Sequence, residues 1–167
     1  MNNALELKKL YESDDFISNS TYDGNDLGAT YSPEATTFKV WAPTAESVRV
    51  ALYKGGTADV DDLISSVLMK KQENGTWSVR IAGDCHGLYY TYIVKVNGKN
   101  VEAVDPYTRS TGINGCRGMV LNLAATNPDG WDKDANPNPL KSYTDAVLYE
   151  LHVRDFSIDE SSGVSAA

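Results

Sequence analysis

The stretch GATYSPEATTFKVWAP, residues 28–43, determines the fold class, because its side chains alternate between two faces with a period of two. Phe38 and Val40 share one face of its second half, and Trp41 lies on the other face. The pair Ser32-Pro33 interrupts the alternation and is typical of a turn. The stretch therefore predicts two short antiparallel strands that form a hairpin.

Further segments with strand periodicity follow at regular spacing. They are ESVRVALY (46–53), SSVLMKKQ (65–72), TWSVRI (76–81), LYYTYIVKV (88–96), NVEAV (100–104) and GMVLNL (118–123). Asn74-Gly75 and Asn97-Gly98 each lie between two of them, and Asn-Gly best tolerates the positive φ angles of a tight hairpin turn. About eight strands at this spacing predict an all-β protein, an immunoglobulin-like antiparallel β-sandwich over residues 26–123.

The phase of the strands separates core positions from outward positions. Trp77, Tyr90 and Tyr92 share their faces with aliphatic residues and are predicted to lie in the core. Tyr53 and Tyr89 have the opposite phase and are predicted to point outward.

The regions on either side of the predicted sandwich differ from it in composition. Residues 1–25 form a lead segment in which ALELKKLY has enough helical spacing for one or two turns. Residues 124–145 are rich in proline, lack apolar periodicity and read as a connector. Residues 146–167 begin with AVLYELHVRDFSID, where Val147, Tyr149, Leu151 and Val153 share one apolar face. This pattern predicts a strand of the kind found in the parallel barrel of an α/β enzyme.

Composition and charge exclude several function classes. The 167 residues carry 15 Lys and Arg against 23 Asp and Glu, a formal net charge of −8, which argues against nucleic-acid binding. No apolar run approaches the roughly 18 residues of a membrane span, and the N-terminal residues lack the apolar centre of a secretory signal. The sequence therefore indicates no membrane partner and a cytoplasmic location.

The chain also lacks the residue patterns of metal and cofactor sites. His86 follows Cys85 directly, but no second pair completes a metal site. Asp59, Asp61 and Asp62 lack the glycine turn and the terminal glutamate of a calcium loop, so a solvated turn is favoured. We expect neither a metal nor a cofactor.

These segments resemble the type I pullulanases, starch-debranching members of the α-amylase superfamily. The similar stretches occur in the family's order from about Tyr22 onward and are residues 22–53, 87–98, VDPYTR (104–109), NGCRGMVLNL (114–123), TNPDGWDKD (126–134) and TDAVLYELHVRDFSID (144–159). FKVWAPTA alone is shared with branching enzymes and isoamylases, whereas YELHVRDFS narrows the resemblance to pullulanases. A glycogen branching enzyme or another debranching enzyme stays open as an alternative parent.

The resemblance implies the organisation and the activity of a larger enzyme. The sandwich would be a starch-binding-type module that precedes a catalytic (β/α)8 barrel, and YELHVRDFS would be the first barrel strand. The parent would hydrolyse α-1,6 branch linkages in starch, glycogen or pullulan. Retaining hydrolysis needs two carboxyl groups about 5–5.5 Å apart, and in the family these lie on later barrel strands. Glu150 and Asp155 would be about 16 Å apart on one strand, so we predict no catalytic residue in this chain.

Two roles remain open for the sandwich. The first is α-glucan recognition, for which outward aromatic and nearby polar side chains are required; the predicted residues are Tyr53, Tyr89, Lys95 and Asn97. Glycogen-binding relatives carry a lysine and a tryptophan where this chain has Ile93 and Asn100, which predicts weak or absent binding. The second role is purely structural, with Trp41, Trp131, Tyr149 and Leu151 forming the interface with the barrel.

Overall fold

The computed structural model describes residues 2–165, and its main feature is a pair of antiparallel sheets. Two helices come first, α1 (Asn2–Tyr11) and α2 (Asp14–Ser20). The strands within the described range are β1 (Gly28–Ser32), β2 (Ala35–Trp41), β3 (Ser47–Tyr53), β4 (Leu63–Leu68), β5 (Lys70–Lys71), β6 (Thr76–Ala82), β7 (Tyr89–Val96), β8 (Lys99–Ala103) and β9 (Gly118–Met119). A short helix, α3 (Val153–Ser157), follows. The chain divides into two compact units, which meet in sequence between Asn127 and Pro128.

The strands form the two sheets of a sandwich within the first unit. One sheet has the order β1-β2-β6-β5, and the other has the order β4-β3-β7-β8 with β9 also paired to β7. All of these pairings are antiparallel. The chain passes from the second sheet to the first at Met69, which is buried and whose amide donates to the Val48 carbonyl at 2.9 Å. The predicted all-β sandwich is confirmed.

Both predicted Asn-Gly hairpin turns are present. Asn74 and Gly75 have φ values of 55° and 73°, and Asn97 and Gly98 have φ values of 51° and 72°. Positive φ at both central residues matches the right-handed twist of the flanking strands, and asparagine and glycine adopt it at the lowest cost. The Ser32-Pro33 turn between β1 and β2 is confirmed as well.

The core lies between the two sheets and contains the residues that the period of two selects. Phe38, Val48, Val50, Tyr90 and Tyr92 are all at most 2% exposed. The rings of Phe38 and Tyr90 come from opposite sheets and meet edge to face, with their centroids 4.9 Å apart. The prediction that Trp77, Tyr90 and Tyr92 belong to the core is confirmed.

A buried carboxylate, Asp105, joins the core tyrosines to the chain that leaves β8. Its Oδ2 accepts from the Tyr90 hydroxyl at 2.7 Å and from the Tyr92 hydroxyl at 3.4 Å, and its Oδ1 accepts from the Tyr107 amide at 2.8 Å. Burial raises the pKa of the Asp105 carboxyl above its ordinary value, although each of these hydrogen bonds favours the ionised form. Sequence periodicity does not reveal this interaction, because Asp105 lies outside the strands.

The N-terminal region is more helical than the sequence analysis predicts. The one or two turns expected around ALELKKLY are part of the ten-residue α1, and α2 follows directly. The Ser13 hydroxyl caps α2 by accepting from the Phe16 amide at 3.2 Å, and Asp14 and Asp15 occupy the first turn. A serine followed by two acidic residues is a helix start signal that the analysis missed.

The second unit, from Pro128 onward, contains no strand within its described residues. The strand predicted over Val147–Val153 is therefore wrong: residues 146–152 are irregular, and α3 begins at Val153. The predicted strand needs hydrogen-bonded neighbours, and no described strand pairs with it. Instead the His152 Nδ1 accepts from the Asp155 amide at 3.3 Å and caps α3.

Candidate functional site

Two of the predicted glucan-binding residues, Tyr53 and Tyr89, lie side by side on the outer face of the second sheet. They are directly opposite each other in the β3–β7 register. Tyr53 does not stand free, because the Arg117 guanidinium covers its ring at 3.7 Å and leaves the residue 8% exposed. Its hydroxyl donates to the Glu102 carboxylate at 2.6 Å. The outward phase of Tyr53 is thus as predicted, but its exposure is not.

Tyr89 is half-buried against a close contact between two loops. A Cβ on Gly56 would lie 2.6 Å from the Tyr89 ring, and a Cβ on Gly112 would lie 2.1 Å from the Gly56 carbonyl oxygen. The Ile113 amide donates to that same carbonyl at 2.9 Å. The loop glycines therefore let the two loops meet beneath the Tyr89 ring.

The other two predicted residues, Lys95 and Asn97, lie at the far end of β7. Six residues separate Lys95 from Tyr89, which is about 20 Å along a strand. The Lys95 ammonium pairs with Glu46 at 3.1 Å, and the Gly98 amide also donates to Glu46 at 2.8 Å. The Gly98 hydrogen bond and then Lys95 lower the pKa of the Glu46 carboxyl. The structure thus forms two separate pairs of residues and does not bring all four together.

Arg117 joins the residues around Tyr53, and the sequence analysis did not predict this role for Arg117. Its guanidinium donates to the Asp62 carboxylate and to the Gly55 carbonyl, both at 2.7 Å, and only 6% of the Arg117 side chain is exposed. Burial would raise the pKa of the Asp62 carboxyl, but hydrogen bonds from Arg117 and the Gly55 amide outweigh it and lower the pKa. Asp62 is therefore not part of a solvated turn as predicted. Nothing local marks Arg117, because both partners are more than fifty residues away.

The four residues predicted to contact a barrel occupy different environments. Trp41 ends β2 in the first unit, is 43% exposed and donates its indole N–H to the Ser20 carbonyl at 2.7 Å. Trp131 and Tyr149 lie in the second unit and are mostly exposed, and Leu151 there is about half exposed. These residues stay predicted interface positions, and they do not share a strand.

Trp41 also lines a cavity in the first unit, which we call the Trp41 groove. The groove runs between α2 and the sandwich, has a volume of about 630 Å³, and is lined by Phe16, Ile17, Tyr22, Trp41, Pro106 and Tyr107, among others. An adjoining cavity of about 220 Å³ shares Tyr22, Leu27 and Tyr107 with it and adds Asn25 and Arg109. Trp41 thus faces a groove that α2 helps to build, which strand phase alone does not predict.

Further features of the described residues concern metal ligands, membrane-spanning helices and cysteines. Within residues 2–165, no group of three or more His, Cys, Asp or Glu side chains is arranged to hold a metal ion. No described helix is both long enough and apolar enough to span a membrane. Cys85 is buried and Cys116 is exposed, and both are free thiols.

Comparison with known proteins places this sandwich among carbohydrate-binding modules. Residues 26–108 match the family model of carbohydrate-binding module 48, the isoamylase N-terminal domain. A pullulanase of Bacillus subtilis is 38% identical over 143 residues, and chloroplastic pullulanase 1 of Arabidopsis thaliana is 37% identical over 151 residues. These alignments include 86% and 85% of this chain but only 18% and 15% of the relatives.

A solved pullulanase structure is also similar to this chain. The pullulanase of Paenibacillus barengoltzii, crystallised with maltohexaose and α-cyclodextrin, is 48% identical and superimposes with a TM-score of 0.77. The match covers 89% of this chain and 22% of that one. The fold and the family match together define an antiparallel sandwich module of the carbohydrate-binding class. Residues 26–108 form a carbohydrate-binding module 48 domain, and the chain as a whole is similar to a stretch of the pullulanases.

Proposed function

We propose that the chain is the N-terminal region of a pullulanase-type enzyme that hydrolyses α-1,6 branch linkages in starch, glycogen or pullulan. The observation that carries this proposal is the module match over residues 26–108 within a chain that aligns with pullulanases over 86% of its length. The chain spans about a fifth of those relatives, and the hydrolytic chemistry belongs to the longer protein.

Within that enzyme, the sandwich serves to bind α-glucan. A net charge of −8 suits a neutral polysaccharide better than a polyanion. Partly exposed aromatic side chains offer apolar faces on which sugar rings stack, and two such residues are Tyr89 on the second sheet and Trp41 on the first. Trp131, Tyr149 and Leu151 are the proposed contacts with the catalytic barrel. Trp41, which the sequence places with them, is assigned to glucan because its ring lines the groove beside α2.

Native affinity electrophoresis tests glucan binding directly. We expect the chain to migrate more slowly through gels that contain amylopectin or pullulan than through a gel without polysaccharide. A gel with a soluble β-glucan serves as the control for non-specific retardation. Equal mobility in all gels, for a chain whose circular dichroism shows a folded β protein, would contradict the proposal and favour a purely structural sandwich.

A further inference from the structure

We propose that the Trp41 groove, together with the adjoining cavity at Asn25 and Arg109, binds a segment of an α-glucan chain. This inference rests on the proposed glucan-binding function and names a site for it. The site differs from the pairs Tyr53–Tyr89 and Lys95–Asn97 that the strand phase predicts, and it lies at the end of β2 in the other sheet.

The apolar end of the groove has the side chains that sugar rings stack on. Trp41 is 43% exposed and Tyr107 is 54% exposed, so both present ring surface to solvent. Phe16 and Tyr22 line the same cavity. A pyranose ring carries its apolar C–H face onto such rings while its hydroxyls stay free for polar partners. The groove volume of about 630 Å³ falls in the range of ligand sites.

The polar end supplies hydrogen-bonding groups for hydroxyls. Asn25 and Arg109 are exposed and line the adjoining cavity, which shares Tyr22 and Tyr107 with the groove. The amide of Asn25 can donate and accept, and the guanidinium of Arg109 donates. A ligand that continues from the stacking surface into this cavity meets donors and acceptors, as an oligosaccharide requires.

The side chains between the two ends are held in place before any ligand arrives. The Tyr22 hydroxyl accepts from the Lys39 ammonium at 3.1 Å and donates to the Asp26 carboxylate, and Lys39 also pairs with Asp26. The Trp41 indole is fixed by its hydrogen bond to Ser20, and the Tyr107 amide by its hydrogen bond to Asp105. The fixed rings of Tyr22 and Trp41 lose little freedom on binding, which favours affinity.

Three observations favour a glucan over another occupant. Trp41 and Tyr107 both fall inside residues 26–108, the part that matches the carbohydrate-binding module. The net charge of −8 disfavours anionic ligands in spite of Arg109. An apolar protein segment would cover Trp41 but would leave the polar cavity at Asn25 and Arg109 without matching groups.

Calorimetric titration of the full chain with maltoheptaose at millimolar concentrations tests the site. Trp41→Ala and Tyr107→Ala should each lower the affinity about tenfold or more, because each removes a stacking surface. Arg109→Gln should lower it several-fold.

Tyr143→Ala and Lys99→Ala are the matched controls, because both side chains are exposed and neither belongs to a proposed glucan site, and they should bind as the unaltered chain does. Tyr89→Ala and Lys95→Ala test the residues that the strand phase predicts. Thermal unfolding of every variant confirms that the sandwich is intact.

The outcomes separate this inference from the proposed function. If the unaltered chain binds and the groove variants keep its affinity, the Trp41 groove is not the site, while glucan binding stands. If Tyr89→Ala and Lys95→Ala alone lose affinity, the strand-phase prediction is right and the groove is wrong. If the folded, unaltered chain does not bind, the proposed function fails and this inference fails with it. Should Trp41→Ala not fold, Tyr107→Ala and Arg109→Gln decide.

Discussion

Replacing Arg117 by leucine is expected to lower the free energy of unfolding by about 3 kcal/mol or more. The guanidinium is buried, donates to Asp62 and Gly55, and covers the ring of Tyr53. Leucine keeps part of the apolar contact but leaves the Gly55 carbonyl without this donor and the Asp62 carboxylate with only the Gly55 amide. Urea unfolding followed by circular dichroism measures the loss.

Two further variants identify the cause of this loss. Lys95→Met breaks the ion pair with Glu46, whose side chains are about half exposed, and should cost less than about 1 kcal/mol. Adding Asp62→Asn to Arg117→Leu removes the uncompensated charge and should restore part of the stability. A loss at Arg117 as small as that at Lys95 would contradict the role given to Arg117.

Replacing Asp105 by alanine is expected to have an effect of similar size, about 3–5 kcal/mol. The substitution leaves the hydroxyls of Tyr90 and Tyr92 without their carboxylate acceptor in the core, and it frees the Tyr107 amide. Each unsatisfied buried group costs about 1–3 kcal/mol. Urea unfolding at neutral pH gives the difference in free energy from the unaltered chain.

The pH dependence of Asp105 provides an independent check. Burial raises its pKa in the folded chain, so the folded state binds the proton more tightly than the unfolded state does. The stability of the unaltered chain relative to Asp105→Asn should therefore rise as the pH falls through the folded pKa towards the ordinary value of about 3.9. If this difference in stability instead decreases as the pH falls through the same range, the pKa of Asp105 in the folded chain is lowered. The comparison with Asp105→Asn matters because Asp62 and Glu46 have lowered pKa values and act in the opposite direction.

The sandwich is predictable from sequence because the patterns that determine its strands and turns lie within short stretches of the chain. Alternation with a period of two selects the buried side chains of β2, β3 and β7, and the Asn-Gly pairs set the hairpin turns. Core residues such as Phe38 and Tyr90 therefore follow from phase alone. A signal of this kind needs no knowledge of the tertiary structure.

Long-range contacts explain what the sequence did not predict. Tyr53 has the outward phase, but the Arg117 side chain, which comes from a loop more than sixty residues later, covers it. The apolar pattern of Val147–Val153 predicts a strand, but pattern alone cannot supply the neighbouring strands that pair with it. The Trp41 groove likewise depends on α2, whose packing against the sandwich no periodicity reveals.

The central claim is that this module binds α-glucan, and nuclear magnetic resonance of the indole N–H groups tests it most directly. The chain has three tryptophans, so Trp41, Trp77 and Trp131 give three assignable signals. With maltoheptaose, and not with a cello-oligosaccharide of similar length, we expect the Trp41 signal to shift while the Trp131 signal stays unchanged. A folded chain whose backbone amide and indole signals are all unaltered by maltoheptaose would contradict glucan binding.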